Sequence, residues 1–252
     1  MERIAITGAA GLIGRLLAAE LGSDHDVRAI DRVWRTGSLR RRQDTRRVEL
    51  AERLFDGATT VIDLAADARL DAPWQSVLRG NLPATIGAFD AARRAGARRV
   101  IFASSHHVTG LYESDEPYAS ICAGRYEGLD PAAIPKIGAA DPVRPDSPYG
   151  VVKAAGEAAA RYYAEEHGLS AICIRIGTVY QDDRPHSSRG FAKLLTHADL
   201  FSLVRACIAA PPEVGFGIVY GVSANKWRFW DLEEARRLVG WEPVDDAERF
   251  RD

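Results

Sequence analysis

Three side chains have the types and spacing needed to take a proton from an alcohol. Tyr149-Gly150-Val151-Val152-Lys153 is the one YxxxK in the chain. On a helix, residues four apart share a face and lie ~5–6 Å from each other. A phenol with a pKa near ~10 is a poor base at neutral pH, and an ammonium beside it favours the phenolate. Bringing that pKa to ~7 takes roughly 4 kcal/mol. YxxxK alone also describes an ordinary amphipathic surface pair. It gains specificity from Ser104-Ser105, which closes an apolar run that reads as a strand. The carboxyl ends of strands in a doubly wound sheet face a ligand crevice, so a serine there can bind the reacting oxygen and orient it for the base.

A second motif sits near the N-terminus, Thr7-Gly8-Ala9-Ala10-Gly11-Leu12-Ile13-Gly14, between a strand candidate and a helix candidate. In this GxxGxxG spacing the first glycine permits a tight turn, the second lets backbone approach a pyrophosphate, and the third lets helix pack on strand. The helix N-terminus then offers N–H groups and a positive dipole end to phosphates. Asp31 follows at the end of the next strand candidate, about 20 residues after Gly11, where a carboxylate can take ribose hydroxyls and repel a 2′-phosphate. NAD is therefore favoured over NADP, although Arg32 and Arg35 lie close enough to reverse the preference. A bound cationic nicotinamide would join Lys153 in lowering the Tyr149 pKa. Asp63-Leu64-Ala65-Ala66 closes another strand candidate, where small residues let backbone lie against a dinucleotide. Asn81 has two open roles, bracing neighbouring backbone or touching substrate.

The elements that position these groups alternate. Strands are expected at Arg3–Thr7, Asp26–Asp31, Thr59–Ala66, Arg98–Ser105, Ser170–Ile176 and Gly217–Tyr220. Runs such as Val61-Ile62-Asp63-Leu64 and Val100-Ile101-Phe102-Ala103 suit strands buried on both faces of a parallel sheet. Helices are expected at Leu12–Leu21, Pro73–Ala95, Ser147–His167, His197–Ala209 and Asp231–Val239, with Gly22 and Gly96 as stops and Ser147-Pro148 as a capped start. The pattern predicts an α/β fold, a Rossmann-type doubly wound parallel sheet, with residues 1–177 binding the dinucleotide and 178–252 forming a small C-terminal substrate lobe. Two segments interrupt it. Thr36–Arg53, with Arg40, Arg41, Arg42, Arg46 and Arg47, reads as a solvated loop. Tyr112–Asp146 holds five prolines, shows no helical period and is long for a connection.

Composition bounds the remaining possibilities. The chain has 252 residues, 46% hydrophobic and 27% charged, which is globular and suits one large domain. Lys+Arg 33 against Asp+Glu 35 gives a formal charge of −2, which argues against a nucleic-acid or anionic-membrane partner. Three cysteines without a CxxC pair point to a reducing compartment. Met1 leads directly into a strand pattern, and no apolar run approaches the ~20 residues of a membrane span. A cytoplasmic protein is expected.

Taken together, the glycine loop, the strand-end serine and YxxxK resemble the extended short-chain dehydrogenase/reductase family, also described as NAD-dependent epimerases and dehydratases. Within it, Phe102-Ala103-Ser104-Ser105-His106-His107, Arg175-Ile176-Gly177-Thr178, Val219-Tyr220-Gly221-Val222-Ser223-Ala224-Asn225 and the tail from Trp230-Asp231 to Gly240-Trp241-Glu242-Pro243 are similar to uronate dehydrogenases and archaeal NAD-dependent sugar dehydrogenases. The resemblance covers nearly the whole chain. It implies NAD as cofactor and oxidation of a sugar or uronic-acid C1 hydroxyl to the lactone. Tyr149 would be the base, Lys153 would lower its pKa and bind ribose, and Ser105 would hold the hydroxyl. Cofactor contacts are implied at Gly8, Ala10, Gly11, Leu12, Ile13, Gly14, Asp31, Arg32, Glu49, Leu50, Leu64, Ala65, Ala66, Asn81, Tyr149, Lys153 and Ile176. Substrate contacts are implied at Ser105, His106, His107, Thr178 and Arg189. His106 stands where the subgroup usually has asparagine, and Thr178 replaces a frequent serine. Arg189 matches an arginine that takes the sugar carboxylate, a role its planar fork suits. The His pair lacks companions at ligand spacing, so no metal is expected. The interval from Ser105 to Tyr149 exceeds the family's usual spacing, which leaves uronate, neutral hexose and hexose phosphate open.

Two other readings stay on the table. A nucleotide-sugar epimerase or dehydratase would hold NAD as a resident hydride carrier, but the stretch after Thr178 is short for a nucleotide-binding lobe. A non-catalytic dinucleotide-binding protein would usually have lost Tyr149 or Lys153. The Ala154, Ala155, Ala158, Ala159 face permits close helix pairing, and the family resemblance implies a homo-oligomer.

Overall fold

The computed structural model describes residues 1–32 and 43–251. Among these, six parallel strands form one sheet in the order β2-β1-β3-β4-β5-β6. They are β1 Arg3–Thr7, β2 Asp26–Ile30, β3 Thr60–Asp63, β4 Arg99–Ser105, β5 Ser170–Ile176 and β6 Phe216–Gly221. Their side chains alternate faces with period two. Ile4, Ile6, Ile62, Ile101, Ile172 and Ile174 pack on one side with Leu17 and Leu21 of α1 (Leu12–Leu21) and Leu203 and Val204 of α8 (His197–Ala209). Ala5, Val61, Val100, Phe102, Ala171 and Cys173 pack on the other with α2 (Val48–Phe55), α4 (Asn81–Arg94) and α6 (Pro148–His167). Both faces are thus dry, which is why these strands read as continuous hydrophobes rather than as an alternation.

The strand order reverses between β1 and β3. The chain steps outward from β1 to β2 and then crosses to the far side. In such sheets the loops diverge at the reversal and open a crevice at the carboxyl ends. The Gly8–Gly11 turn and the Leu64–Ala66 segment border that crevice.

Several sequence expectations need correction. The stretch 73–95 is two helices, α3 (Trp74–Arg79) and α4, separated at Gly80, where φ −106° and ψ −68° depart from helical values. Val48–Arg53 is not loop, because α2 starts at Val48; Arg35, Arg40, Arg41 and Arg42 lie outside the described residues. The stretch 112–146 is ordered by local and tertiary contacts rather than by period. A 3-10 turn runs His106–Ser114, α5 spans Tyr118–Cys122, and Ile137 pairs with Trp230. Among the described residues after 177, β6 joins the sheet, α8 covers one of its faces and α9 (Glu233–Val239) lies against β6. They also supply the segments around Thr178 and α7 (Ser188–Lys193), where Thr178 pairs with Leu194. No helix among the described residues is long and apolar enough to cross a membrane.

Candidate active site

The β1–α1 turn is built by close approach. Gly8 adopts φ +64°, and a Cβ there would sit 2.8 Å from the Leu64 carbonyl. A Cβ on Gly14 would lie 2.4 Å from the Gly8 oxygen, so the first turn of α1 packs on the loop only because side chains are missing. Thr7 ties the two crevice walls together. Its hydroxyl donates to Asp63 Oδ1 at 2.6 Å and accepts from the Leu64 and Ala65 amides at 3.2 Å. The Ala10 amide donates to Asp31 Oδ2 at 2.9 Å, which fixes the carboxylate at the mouth of the turn. The crevice has a volume of about 540 Å3.

Of the expected cofactor residues, Gly8, Gly11, Asp31, Arg32, Leu64, Ala65, Ala66 and Asn81 line this crevice. Ala10, Leu12, Ile13 and Gly14 belong to the turn and the helix start behind it. Asn81 braces backbone, accepting from the Asp67 amide at 2.8 Å and donating to the Asp67 carbonyl at 2.9 Å. Glu49 and Leu50 lie within α2, while Gln43 to Arg46 form that side of the wall. Ile176 ends β5 beside Ser105, its partner in register. The turn of glycines and alanines, the fixed carboxylate and the small residues opposite suit an extended dinucleotide with its phosphates on the α1 N-terminus.

Tyr149, Lys153 and Ser105 converge where β4 ends. Ser147 accepts from the Gly150 amide at 3.1 Å and caps α6, which sets Tyr149 in its first turn and Lys153 one turn later. Lys153 Nζ lies 5.7 Å from the Tyr149 ring centre and donates to the Ala103 carbonyl at 2.6 Å. Ser105 closes β4, shares a hydrogen bond with the Tyr149 phenol and accepts from the His107 amide at 3.2 Å. All three side chains are buried. Burial pushes the Tyr149 phenol up to about 12, against the pull of the Ser105 hydrogen bond. Burial likewise pushes the Lys153 ammonium down to about 8, with Asp63 opposing. Burial therefore makes the phenol harder to ionise than the YxxxK spacing alone implies, with only the Ser105 hydrogen bond opposing it.

Behind the trio lies a buried polar chain. Ser104 donates to Glu157 Oε1 at 2.6 Å, and Arg175 holds both Glu157 oxygens at 2.9 Å. Arg175 also donates to the Tyr220 hydroxyl at 3.0 Å, which meets Thr109 at 2.9 Å. It links β4, β5, β6 and α6 through buried side chains.

On the outer side, His107 hydrogen-bonds Asp146 Oδ2 through Nδ1 at 2.7 Å. Burial raises the Asp146 carboxyl, yet the His107 hydrogen bond and charge hold it below its ordinary value. A carboxylate can only accept, so Nδ1 carries the proton. His106 is buried beneath, its pKa pushed down to about 3 by desolvation, and its Nε2 lies 3.4 Å from Lys193 Nζ. Thr178 donates its amide to the Lys193 carbonyl at 2.7 Å. Arg189 donates from Nη2 to Glu113 Oε1 at 2.9 Å and from Nε to Oε2. Glu113, Asp146 and Lys193 went unnoticed in the sequence because no motif marks them. Their grouping comes from the fold of the 106–146 segment against α7.

Comparison with known proteins agrees with this architecture. Residues 4–199 match the family described as "NAD dependent epimerase/dehydratase family". An NAD-dependent glucose-6-phosphate dehydrogenase of Haloferax volcanii is 34% identical over 99% of this chain and 95% of its own length. An L-arabinose 1-dehydrogenase (NAD(P)(+)) of the same organism is 35% identical over 98% of each. A crystal structure of an Agrobacterium tumefaciens uronate dehydrogenase variant complexed with NAD superposes with TM-score 0.82 at 28% identity, covering 100% of this chain and 88% of that one.

Proposed function

The chain belongs to the NAD dependent epimerase/dehydratase family, with NAD as cofactor, and from that premise we propose that it oxidises the C1 hydroxyl of an aldose or its uronic acid to the lactone. The observation that carries this reading is the meeting of Tyr149, Ser105 and Lys153 where β4 ends at the carboxyl edge of the sheet. Relatives are named as dehydrogenases of glucose 6-phosphate, of L-arabinose at position 1 and of uronate. Bound NAD would supply the acceptor for the hydride leaving C1.

The remaining work falls to this chain's own residues. Ser105 donates to the C1 oxygen and orients its proton toward the Tyr149 phenolate. Tyr149 takes that proton as the C1–H electron pair departs, and the C1–O bond becomes a carbonyl. Starting from about 12, ionising the phenol near neutrality requires roughly 7 kcal/mol. A unit positive charge ~4–6 Å away supplies about 3–4 kcal/mol at an effective dielectric of ~20. Lys153 and one further cation therefore match the requirement, and Lys153 is mostly charged near neutral pH with its pKa at about 8. Residues 1–177 hold the cofactor and the chemistry in this scheme, and 178–252 supply substrate contacts through Thr178 and Arg189. The half-buried alanine face of α6, with exposed Tyr162, is assigned to pairing with a second copy.

Purified protein supplied with NAD and a panel of hexoses, pentoses, uronates and hexose phosphates should form NADH, followed by absorbance, and release lactone. No NADH from any of these sugars would overturn the assignment.

A further inference from the structure

The side of Tyr149 toward His107 carries an ion pair that the catalytic scheme does not use. The His107 ring lies 6.2 Å from the Tyr149 ring, and His106 packs 4.0 Å from His107. His106 Nδ1 in turn faces Glu113 at 3.5 Å. Glu113 leaves the 3-10 turn after β4 and fills the fork of Arg189 with both its oxygens, while its side chain is only 10% exposed. The other cation here, Lys193, is buried and directed at His106 Nε2. Arg189 and Lys193 thus stand against the carboxylates of Glu113 and Asp146, with His106 held neutral by burial. The guanidinium edge of Arg189 that fits a carboxylate or phosphate already holds one.

We propose that Glu113 acts as a built-in anion on Arg189 and thereby selects uncharged aldoses over uronates and sugar phosphates. The proposal rests on the dehydrogenase reading and narrows its substrate class. An incoming carboxylate has two courses. Beside Glu113 it meets like charge at close range. In place of Glu113 it strands a buried carboxylate without its partner, a cost on the order of 10²–10³ in affinity. A neutral sugar meets neither penalty, and its hydroxyls can hydrogen-bond His107 and the outer edge of Arg189.

The test compares glucose, glucuronate and glucose 6-phosphate with NAD-saturated wild type and Glu113→Gln, which keeps the shape and removes the charge. Wild type should show kcat/KM at least tenfold higher for glucose than for either anion. In Glu113→Gln the glucuronate-to-glucose ratio should rise tenfold or more. Wild type using either anion as well as glucose overturns the proposal whatever the variant does, as does an unchanged ratio in a folded variant. If no sugar reduces NAD, the dehydrogenase reading fails separately. Calorimetric titration of glucose and glucuronate into the NAD-loaded proteins then decides the selectivity: glucose binding tighter in wild type, with glucuronate gaining in the variant, sustains it. Tighter glucuronate binding in wild type, or no binding of either sugar, overturns it.

Discussion

Replacing Lys153 with methionine should make the protein more stable while removing its activity. Lys153 is 3% exposed, and burial holds its pKa at about 8 against an ordinary 10.5. At ~1.4 kcal/mol per pH unit, keeping this ammonium charged in the fold costs roughly 3 kcal/mol. The pKa is lowered in the folded state, so the cost is fully present below pH 8 and fades as pH rises from 8 toward 10.5. Methionine fills similar volume without the charge, but it forfeits the bond to the Ala103 carbonyl, worth about 1–2 kcal/mol. The net gain at neutral pH is therefore about 1–2 kcal/mol, or a rise of roughly 2–8 °C in the unfolding midpoint for a chain of this size. Wild type should also gain about 1 kcal/mol more than the variant between neutral pH and pH ~9. Calorimetric or urea unfolding at both pH values measures the two effects. A variant clearly less stable than wild type at neutral pH, with an unchanged pH dependence, would refute the claim that the ammonium is strained by burial.

Other outcomes follow from single contacts. Gly14→Ala places a Cβ 2.4 Å from the Gly8 oxygen and 2.6 Å from the Ala9 Cα. It should displace the phosphate turn, destabilise by about 1–3 kcal/mol and weaken NAD binding at least tenfold, as read by calorimetric titration. Glu157→Ala leaves the 1%-exposed Arg175 without its carboxylate and should cost about 3–5 kcal/mol in urea unfolding; a loss below about 1 kcal/mol would show that the buried chain under Ser104 is replaceable by water.

Much of this molecule was legible in its sequence because the signals were local. Buried parallel strands announce themselves as hydrophobic runs, and the bounds expected for β1, β5, α1 and α8 coincide with those observed. The glycine turn and the Tyr149–Lys153 spacing carry their geometry in short windows. What was missed depends on contacts between distant segments. Gly80 divides a helical pattern that periodicity alone joins. The 112–146 segment is held by Ile137 on Trp230 and by Arg144 on Asp115, neither of which has a period to detect. Arg189 looked available in sequence, and only the fold shows Glu113 in its fork. The upward shift of Tyr149 has the same origin, since burial is a property of the packed site and not of the YxxxK spacing.

Tyr149→Phe tests the central claim most directly, since it removes one oxygen and leaves the ring in place. Turnover with the preferred sugar should fall by ~10²–10⁴, the usual size of an acid–base contribution, while NAD affinity stays within a few-fold of wild type. Turnover that survives the substitution unchanged would contradict the assignment of this phenol as the base.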